Sequence, residues 1–421
     1  MALKIYGTDK LIDGSGNQPL KKTAIVVENG IIKEVCAFDR LMEASFDYYK
    51  PGYVVIPGMI DTHTHLMFGS GSSNYLEVIN NDPIGEILVR SFKNAYKHLR
   101  AGVTFVRDSG SYGNIGFAIK QALKSEIYVT PKIHVCGRPI TITGGHFYFF
   151  GEEADGVSGV KKSVRRLVKE GADFIKIIAS GGGGTPHSDM TRPTYTTEEL
   201  IAIVEESHGS GKLTEAHCLC TESIRRAVIA GIDVIDHINF LMPNGKRTFN
   251  FKIADNLIKK QLYICPTIQT GYRKLQELKS RTERISANDK KTMDDLSYKL
   301  ESKIFIVNQL HEMGAKIIAG SDATSTFGDY SIGLELLNQA GLSVLDTINA
   351  STHLAAEGIG QGENTGLIKP GYAADFVYLE RDPLVDISNI NSVSTVVLDG
   401  NIVIDKDGEK DTDLRVYMKK N

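Results

Sequence analysis

Between about residues 59 and 358 the sequence keeps switching between two periodicities. Short apolar runs recur: Thr104-Phe-Val-Arg107, Lys132-Ile-His-Val135, Phe174-Ile-Lys-Ile-Ile178, Val234-Ile-Asp-His237, Ile264-Cys-Pro-Thr267 and Lys316-Ile-Ile-Ala319. Between them lie amphipathic stretches such as 159–168 and 196–204, the latter opened by a Thr196 or Thr197 cap with Glu198 and Glu199 in its first turn. Runs this short suit buried strands, and the stretches between them carry helical spacing. Acidic residues in the first turn favour a helix start there. So many βα units in succession predict an α/β fold built on a (β/α)8 barrel rather than one dinucleotide-binding βαβ unit. No GxGxxG follows a strand and no GxxxxGK[ST] occurs; the glycines at 181–184 lack the phosphate-binding pattern.

The two ends of the chain differ from the middle. Lys4-Ile-Tyr6, Ala24-Ile-Val-Val27, Ile31-Ile-Lys-Glu-Val35 and Tyr53-Val-Val-Ile56 read as strands, with Glu28-Asn-Gly30 as a hairpin turn. At the far end, 374–379, 393–398 and 401–404 read the same way, with Asp399-Gly400 as the turn. The expected organisation is one small β-sandwich made from both termini (1–58 and 359–421), with the barrel (59–358) inserted between them. The polar stretch 270–300, carrying Lys274, Arg281, Glu283 and Asp295, is either a solvated helical excursion or a cover for the barrel mouth.

Charge sets limits on partners. Lys and Arg number 48 against 51 Asp and Glu, a net charge of -3, which gives no nucleic-acid footprint. No apolar stretch reaches 18 residues, and the start Met1-Ala-Leu-Lys-Ile-Tyr6 is not signal-like. The five cysteines, 36, 136, 218, 220 and 265, form no framework. The expectation is a soluble cytoplasmic protein acting on a small molecule, with neither nucleic acid nor membrane as partner.

Chemistry gathers at the ends of the apolar runs. His63-Thr-His65 follows an apolar run, and residues i and i+2 of a strand share a face, so both imidazoles can meet one metal. Lys176 sits inside an apolar run, where an unpaired ammonium is costly. It is either a paired lysine or a neutral amine able to take up CO2 and become a metal-bridging carbamate. His217, His237 and Asp322 each end a strand-like run. In a barrel those ends converge on one face. His146, after Gly144-Gly145, lies in the third βα region. Arg107 and Asp108 are candidates for a structural pair beneath the site, and His187 and Arg192 for contact with a substrate carboxylate. His98, His208 and His311 lie in polar helical stretches and suit surface or helix–helix contacts.

The set His63, His65, Lys176, His217, His237 and Asp322, with Ile56-Pro-Gly-Met-Ile-Asp-Thr-His63 and 366–377, resembles the amidohydrolase superfamily across nearly the whole chain. Within it, Phe105-Val-Arg-Asp-Ser109, Thr143-Gly-Gly-His146 and Thr214-Glu-Ala-His217 are most similar to the prolidase-like hydrolases, which include Xaa-Pro and Xaa-Arg dipeptidases and an ochratoxin-degrading amidase. Relatives commonly read Ser-Ile-Glu-His-Gly where this chain reads Val234-Ile-Asp-His-Ile238, so the ligand is kept and the pocket wall changed.

The resemblance implies two divalent metal ions, Zn²⁺ by ligand type. In it, His63, His65 and Asp322 hold the more buried ion, His217 and His237 the more exposed one, and carboxylated Lys176 bridges them. It further implies that Asp322 shuttles the proton between attacking water and leaving amine, that His146 braces the oxyanion, and that the protein is a homo-oligomer. The implied reaction is amide hydrolysis of a dipeptide or N-acyl amino acid; the alternative is hydrolysis of a cyclic amide, urea or carbamate at the same centre. A metal-containing barrel used only as a scaffold is disfavoured by the complete ligand set.

Overall fold

The computed structural model describes residues 3–41, 45–69, 75–125, 129–281 and 286–406; Met1, Ala2, Glu283 and the end of the C-terminal segment, 407–421, lie outside them. Eight parallel strands surround the centre: Met59–Thr64, Val103–Asp108, Lys132–Val135, Ile175–Ile178, Thr214–Cys220, Val234–Leu241, Tyr263–Cys265 and Lys316–Ile317. Their ladders run in sequence order. The third and fourth strands are joined by Asp173 N donating to Val135 O at 2.8 Å. The eighth meets the first through Thr62 N to Ala319 O at 3.1 Å and a parallel bridge between Thr64 and Ala323. The circle therefore closes, as the repeated βα pattern requires.

Helices connect the strands on the outside, and their starts follow local chemistry. Thr196 caps Thr197–Gly209: its Oγ1 accepts from Glu199 N at 3.2 Å while Glu199 Oε2 accepts from Thr196 N at 2.8 Å. That reciprocal pair satisfies two amide groups the helix itself leaves unpaired. Ile84–Arg100 buries Ile87, Ser91, Asn94, Ala95 and His98 along one face. His98 is thus a buried residue beneath the first strand, with Nε2 3.4 Å from Thr64 Oγ1, rather than a surface contact.

Both termini build one sheet. Its order is Asn401–Asp405, Val393–Leu398, Phe376–Leu379, Val54–Pro57, Lys4–Leu11, Leu20–Glu28 and Ile31–Ala37, with Tyr48–Tyr49 beside Lys4–Leu11. The turns Asn29-Gly30 (φ 54° and 80°) and Asp399-Gly400 (φ 46° and 67°) take the left-handed conformation of two-residue hairpins. The sheet curls until these two turns meet: Ala374 N donates to Gly30 O at 2.8 Å, and Tyr6 Oη to Gly400 O at 2.9 Å. Tyr6, Leu11, Ile25, Val55, Phe376 and Tyr378 fill the space enclosed. Among the described residues no helix is long and apolar enough to cross a membrane.

Candidate metal and catalytic site

The barrel's interior carries more charge than a core normally does. Arg107, Lys176, Glu215 and Asp236 are each almost fully buried. Lys176 Nζ donates to Glu215 Oε1 at 2.7 Å and to Asp236 Oδ2. Arg107 Nε lies 2.8 Å from Glu215 Oε2, and Ser109 Oγ donates to Glu215 Oε1 at 2.9 Å. Two cations thus face two anions. Burial opposes charge on Lys176, but Asp236 and Glu215 outweigh it and raise its pKa. Burial likewise opposes charge on Glu215, and Arg107 and Lys176 hold its carboxyl well below the usual range. Arg107 therefore pairs with Glu215, not with its neighbour Asp108; adjacent strand residues face opposite ways, and Asp108 Oδ1 accepts instead from Leu66 N at 3.0 Å.

Above this ionic floor the first, fifth, sixth and eighth strands end in the metal-ligating residue types. His63 Nε2 and His65 Nε2 lie 3.5 and 3.6 Å from Asp322 Oδ1, and His237 Nδ1 lies 4.0 Å from Asp322 Oδ2. Ligand atoms of His63, His237 and Asp322 all fall within 4.8 Å of one another, and His63, Asp236 and Cys265 form a second such group. His63 Nδ1, 3.0 Å from Glu215 Oε1, is buried without a well-formed hydrogen bond. His65 Nδ1 donates to Gly110 O at 3.2 Å and His217 Nε2 to Gly181 O at 3.1 Å. Each ring thereby turns its other nitrogen into a bare acceptor, the arrangement metal-binding imidazoles use. This donor set fits a divalent ion.

Electrostatics keep most of these rings neutral. Burial pulls His65 down to about 4 and His217 to about 3. Burial, with His217 nearby, pulls His237 well below its ordinary range. His63 goes the other way: burial and Lys176 oppose its charge, but Asp236 and Asp322 prevail. Burial opposes ionisation of Asp322, yet His63, His237 and His65 hold its carboxyl well below the ordinary value. His237, Asp322 and Thr267, whose Oγ1 lies 2.7 Å from His237 Nδ1, all have positive φ (64°, 52° and 43°). Left-handed backbone at three non-glycine residues of one site is the strain found where geometry serves function.

His217 joins the group through His237, ring centroids 4.5 Å apart, and His146 through His217 at 4.9 Å. His146 stacks on Phe147 at 3.7 Å, with its Nδ1 2.8 Å from Thr185 Oγ1. Gly182 makes room for it, since a Cβ there would lie 2.3 Å from His146 Nε2; of the Gly144-Gly145 pair, Gly145 is close-packed against Thr141 and Ile142 and Gly144 has open space around it. His63, His65, His146, Lys176, His217, His237 and Asp322 all line one cavity of about 710 Å³. Exposed His187 and Arg192 do not line it, whereas Met190 and Thr191 of the same loop do. Sequence reading missed Arg247 and Lys303, which line it together with Asp295, Tyr298 and Lys299 of the stretch read as a possible cover; the segment after the 242–246 turn and the long helix Ala287–Glu312 bring them onto its wall. Of the charged 270–300 stretch, Thr270, Asp295, Leu296, Tyr298 and Lys299 thus border the cavity. Glu215 and Asp236 were missed as well, although each carboxylate sits within two residues of a flagged histidine.

The comparisons agree with this geometry. The chain is 25% identical to ochratoxinase from Aspergillus niger, over 90% of this chain and 81% of that protein. It is 24% identical to imidazolonepropionase from Thermoplasma volcanium, over 92% of each. Among solved structures, a Xaa-Pro dipeptidase with methionine bound in its active site superposes with a TM-score of 0.82 at 25% identity, covering 95% of this chain and 99% of that one. The profile of the Amidohydrolase family matches residues 54–403, and on that match the chain belongs to the amidohydrolase family, with the prolidase- and ochratoxinase-like form of its metal-dependent hydrolase fold.

Proposed function

We propose that the cavity hydrolyses the amide bond of a dipeptide or an N-acyl amino acid. The observation that carries the reading is the convergence of His63, His65, His237 and Asp322 within a cavity large enough for such a substrate. Likeness to ochratoxinase and to a Xaa-Pro dipeptidase favours this class; the likeness to imidazolonepropionase supports cyclic amides as the second reading.

In this proposal His63, His65 and Asp322 would hold one divalent ion and His217 and His237 a second, with carboxylated Lys176 as a further ligand, and Zn²⁺ suits these nitrogen and carboxylate donors. Such ions supply Lewis acidity toward the scissile carbonyl and activate water. To form that carbamate Lys176 would lose its ammonium proton and its pairing with Glu215 and Asp236, bond its nitrogen to the carbon of CO2, and release a second proton from that nitrogen to leave the anion. Asp322 is an ionised acceptor, positioned to take a proton from the attacking water and return it to the leaving nitrogen. Thr185 Oγ1 accepts from Phe147 N at 2.9 Å, so its own hydrogen can go to His146 Nδ1. The hydrogen of His146 then resides on Nε2, ready to donate to the developing oxyanion.

The test is a library of dipeptides, N-acyl amino acids and cyclic amides incubated with the zinc-loaded protein, every released amine being identified by mass spectrometry. Cleavage governed by the residue carrying the freed amine, abolished by chelator and restored by Zn²⁺, is the expected result. Cleavage confined to the cyclic amides would overturn the dipeptide reading.

A further inference from the structure

At one side of the cavity a phenylalanine occupies backbone that suits glycine. Phe147 has φ 63°, a left-handed conformation that bulky residues rarely adopt. Local bonds hold it there: its N–H donates to Thr185 Oγ1 at 2.9 Å, and its carbonyl accepts from Phe150 N at 3.1 Å and Gly151 N at 2.8 Å. The ring is buried, stacks on His146, and meets His65 and Tyr75 edge-on with centroids 5.9 and 5.8 Å away. Tyr75 extends this wall. Phe68 packs on its ring at 4.5 Å, and its hydroxyl donates to Thr324 Oγ1 at 3.2 Å. Gly184 lets it approach, since a Cβ there would lie 2.3 Å from the tyrosine ring. Exposed Met190 lines the cavity with both rings.

Glycine at 147 would take this backbone without strain, so the strain is kept for the ring. The wall also has a definite side. Tyr75, Phe147 and Met190 follow the first, third and fourth strands. The charged lining stands on another arc: Arg247 follows the sixth strand, and Asp295, Lys299 and Lys303 belong to the helix between the seventh and eighth. Among the described residues two carboxylates line the cavity, Asp295 on that arc and Asp322 within the ligand cluster. An aromatic wall cannot solvate an ion. The half of the substrate that carries the free acid therefore lies away from Phe147, and the acyl half lies against it. A free α-ammonium on the acyl half would meet rings and a thioether there instead of a carboxylate.

We propose that Phe147, Tyr75 and Met190 form the subsite for the acyl group, and that this group is uncharged and carries an aromatic ring. The inference rests on the amide-hydrolysis reading and decides between its two substrate types: the substrates are N-arylacyl amino acids, not dipeptides with a free α-ammonium. Aromatic rings pack edge-to-face or offset, which a second ring entering beside Phe147 and Tyr75 can satisfy. Hydrolysis then breaks the C–N bond, the hydroxyl of water going to the arylacyl carbon and its proton to the nitrogen.

Binding and turnover separate the two ideas. Three acyl groups are compared over a panel of C-terminal amino acids: 3-phenylpropanoyl, L-phenylalanyl, which adds only the ammonium, and acetyl, which lacks the benzyl group. Binding to the zinc-loaded protein is read by calorimetry on uncleavable ketomethylene analogues, with CH2 in place of the amide N–H, and turnover on the amides by mass spectrometry. The phenylpropanoyl analogues should bind at least ~10-fold tighter than either counterpart, as burial of one ring allows. In Phe147→Gly, which relieves the backbone, the advantage over acetyl should fall to about twofold or less. In Met190→Asp, an exposed position that places a carboxylate on the same wall, the phenylalanyl analogues should gain at least ~3-fold. Equal binding of acetyl and phenylpropanoyl analogues, or wild-type preferences kept in both variants, would overturn the subsite. Phenylalanyl analogues bound as tightly as phenylpropanoyl ones would show rings holding an ammonium by cation–π contact and would overturn it too. The expected binding preference without cleavage of any amide would leave the subsite standing and overturn the hydrolysis reading; cleavage without the preference would do the reverse.

Discussion

Glu215→Gln tests the ionic floor directly. The side chain is fully buried and serves Lys176 at 2.7 Å, Arg107 at 2.8 Å, Ser109 at 2.9 Å and His63 at 3.0 Å. Glutamine keeps the shape and one acceptor oxygen but removes the charge. Lys176 then still has Asp236, while Arg107 loses its carboxylate and keeps Thr62 O at 2.8 Å and the face of Phe174 at 4.9 Å. Removing one partner of a buried pair typically costs 3–5 kcal/mol; the retained acceptor places the expected loss near ~3 kcal/mol. Scaling the usual conversion to a chain of this length gives a fall of roughly 3–6 °C in the midpoint of thermal unfolding, followed by circular dichroism on metal-free protein. Arg107→Met combined with Glu215→Gln removes one cation and one anion, leaving Lys176 with Asp236. The double variant should therefore be more stable than the sum of the single losses by about 1–3 kcal/mol. The sign with pH is also fixed. A carboxyl held below its unfolded value stabilises fully above that value and loses the contribution as pH falls toward the folded one. The gap between wild type and Glu215→Gln should hold from neutral pH down to about 4.3 and narrow below it. A single variant within ~1 kcal/mol of wild type, or strict additivity in the double variant, would refute the charge accounting.

Two other variants probe the mouth. Gly182→Ala would place a Cβ 2.3 Å from His146 Nε2, so turnover should drop about 10–100-fold through displacement of that ring, with metal content by atomic spectroscopy unchanged. Unaltered kcat would show that His146 plays no part in the reaction. Lys176→Ala removes the proposed bridge and takes one cation from Glu215, which keeps Arg107, and from Asp236, which keeps His63 at 3.3 Å. On the proposed two-ion site it should bind one ion or fewer against two for the wild-type protein, and retention of two would eliminate the carbamate.

Much of this architecture could be read from local pattern. The barrel strands Lys132–Val135 and Ile175–Ile178 fall on apolar runs, the hairpins on Asn29-Gly30 and Asp399-Gly400, and the Thr196 cap on its Glu199 partner, because these signals act within a few residues. His98 was legible too: Ile87, Ser91, Asn94 and His98 share the spacing of one helical face, and the polar character of the stretch hid it. The partners of Arg107 and Lys176 were not legible, since Glu215 meets both only after strands far apart in sequence close the barrel. His187 and Arg192 were misplaced for a related reason: a loop's length says which strand it follows, whereas its backbone path decides that Met190 and Thr191 face inward.

The register of the strands explains why the charged floor and the ligand cluster occur as two levels. In the parallel ladders Lys176 stands beside Glu215, His217 beside Asp236, and Cys218 beside His237. Glu215 and His217 share a face of their strand, one step apart along it, so a carboxylate directed at Lys176 places an imidazole one level nearer the mouth. Asp236 and His237 are adjacent and would ordinarily face opposite ways. The left-handed backbone at His237 (φ 64°) and Ile238 (φ 43°) breaks that alternation and lets Asp236 bind Lys176 while His237 reaches the cavity. The same local strain therefore serves both levels. Straightening the strand at 237–238 would force a choice between pairing Lys176 and presenting the histidine, which is why strained backbone is retained at this point of the barrel.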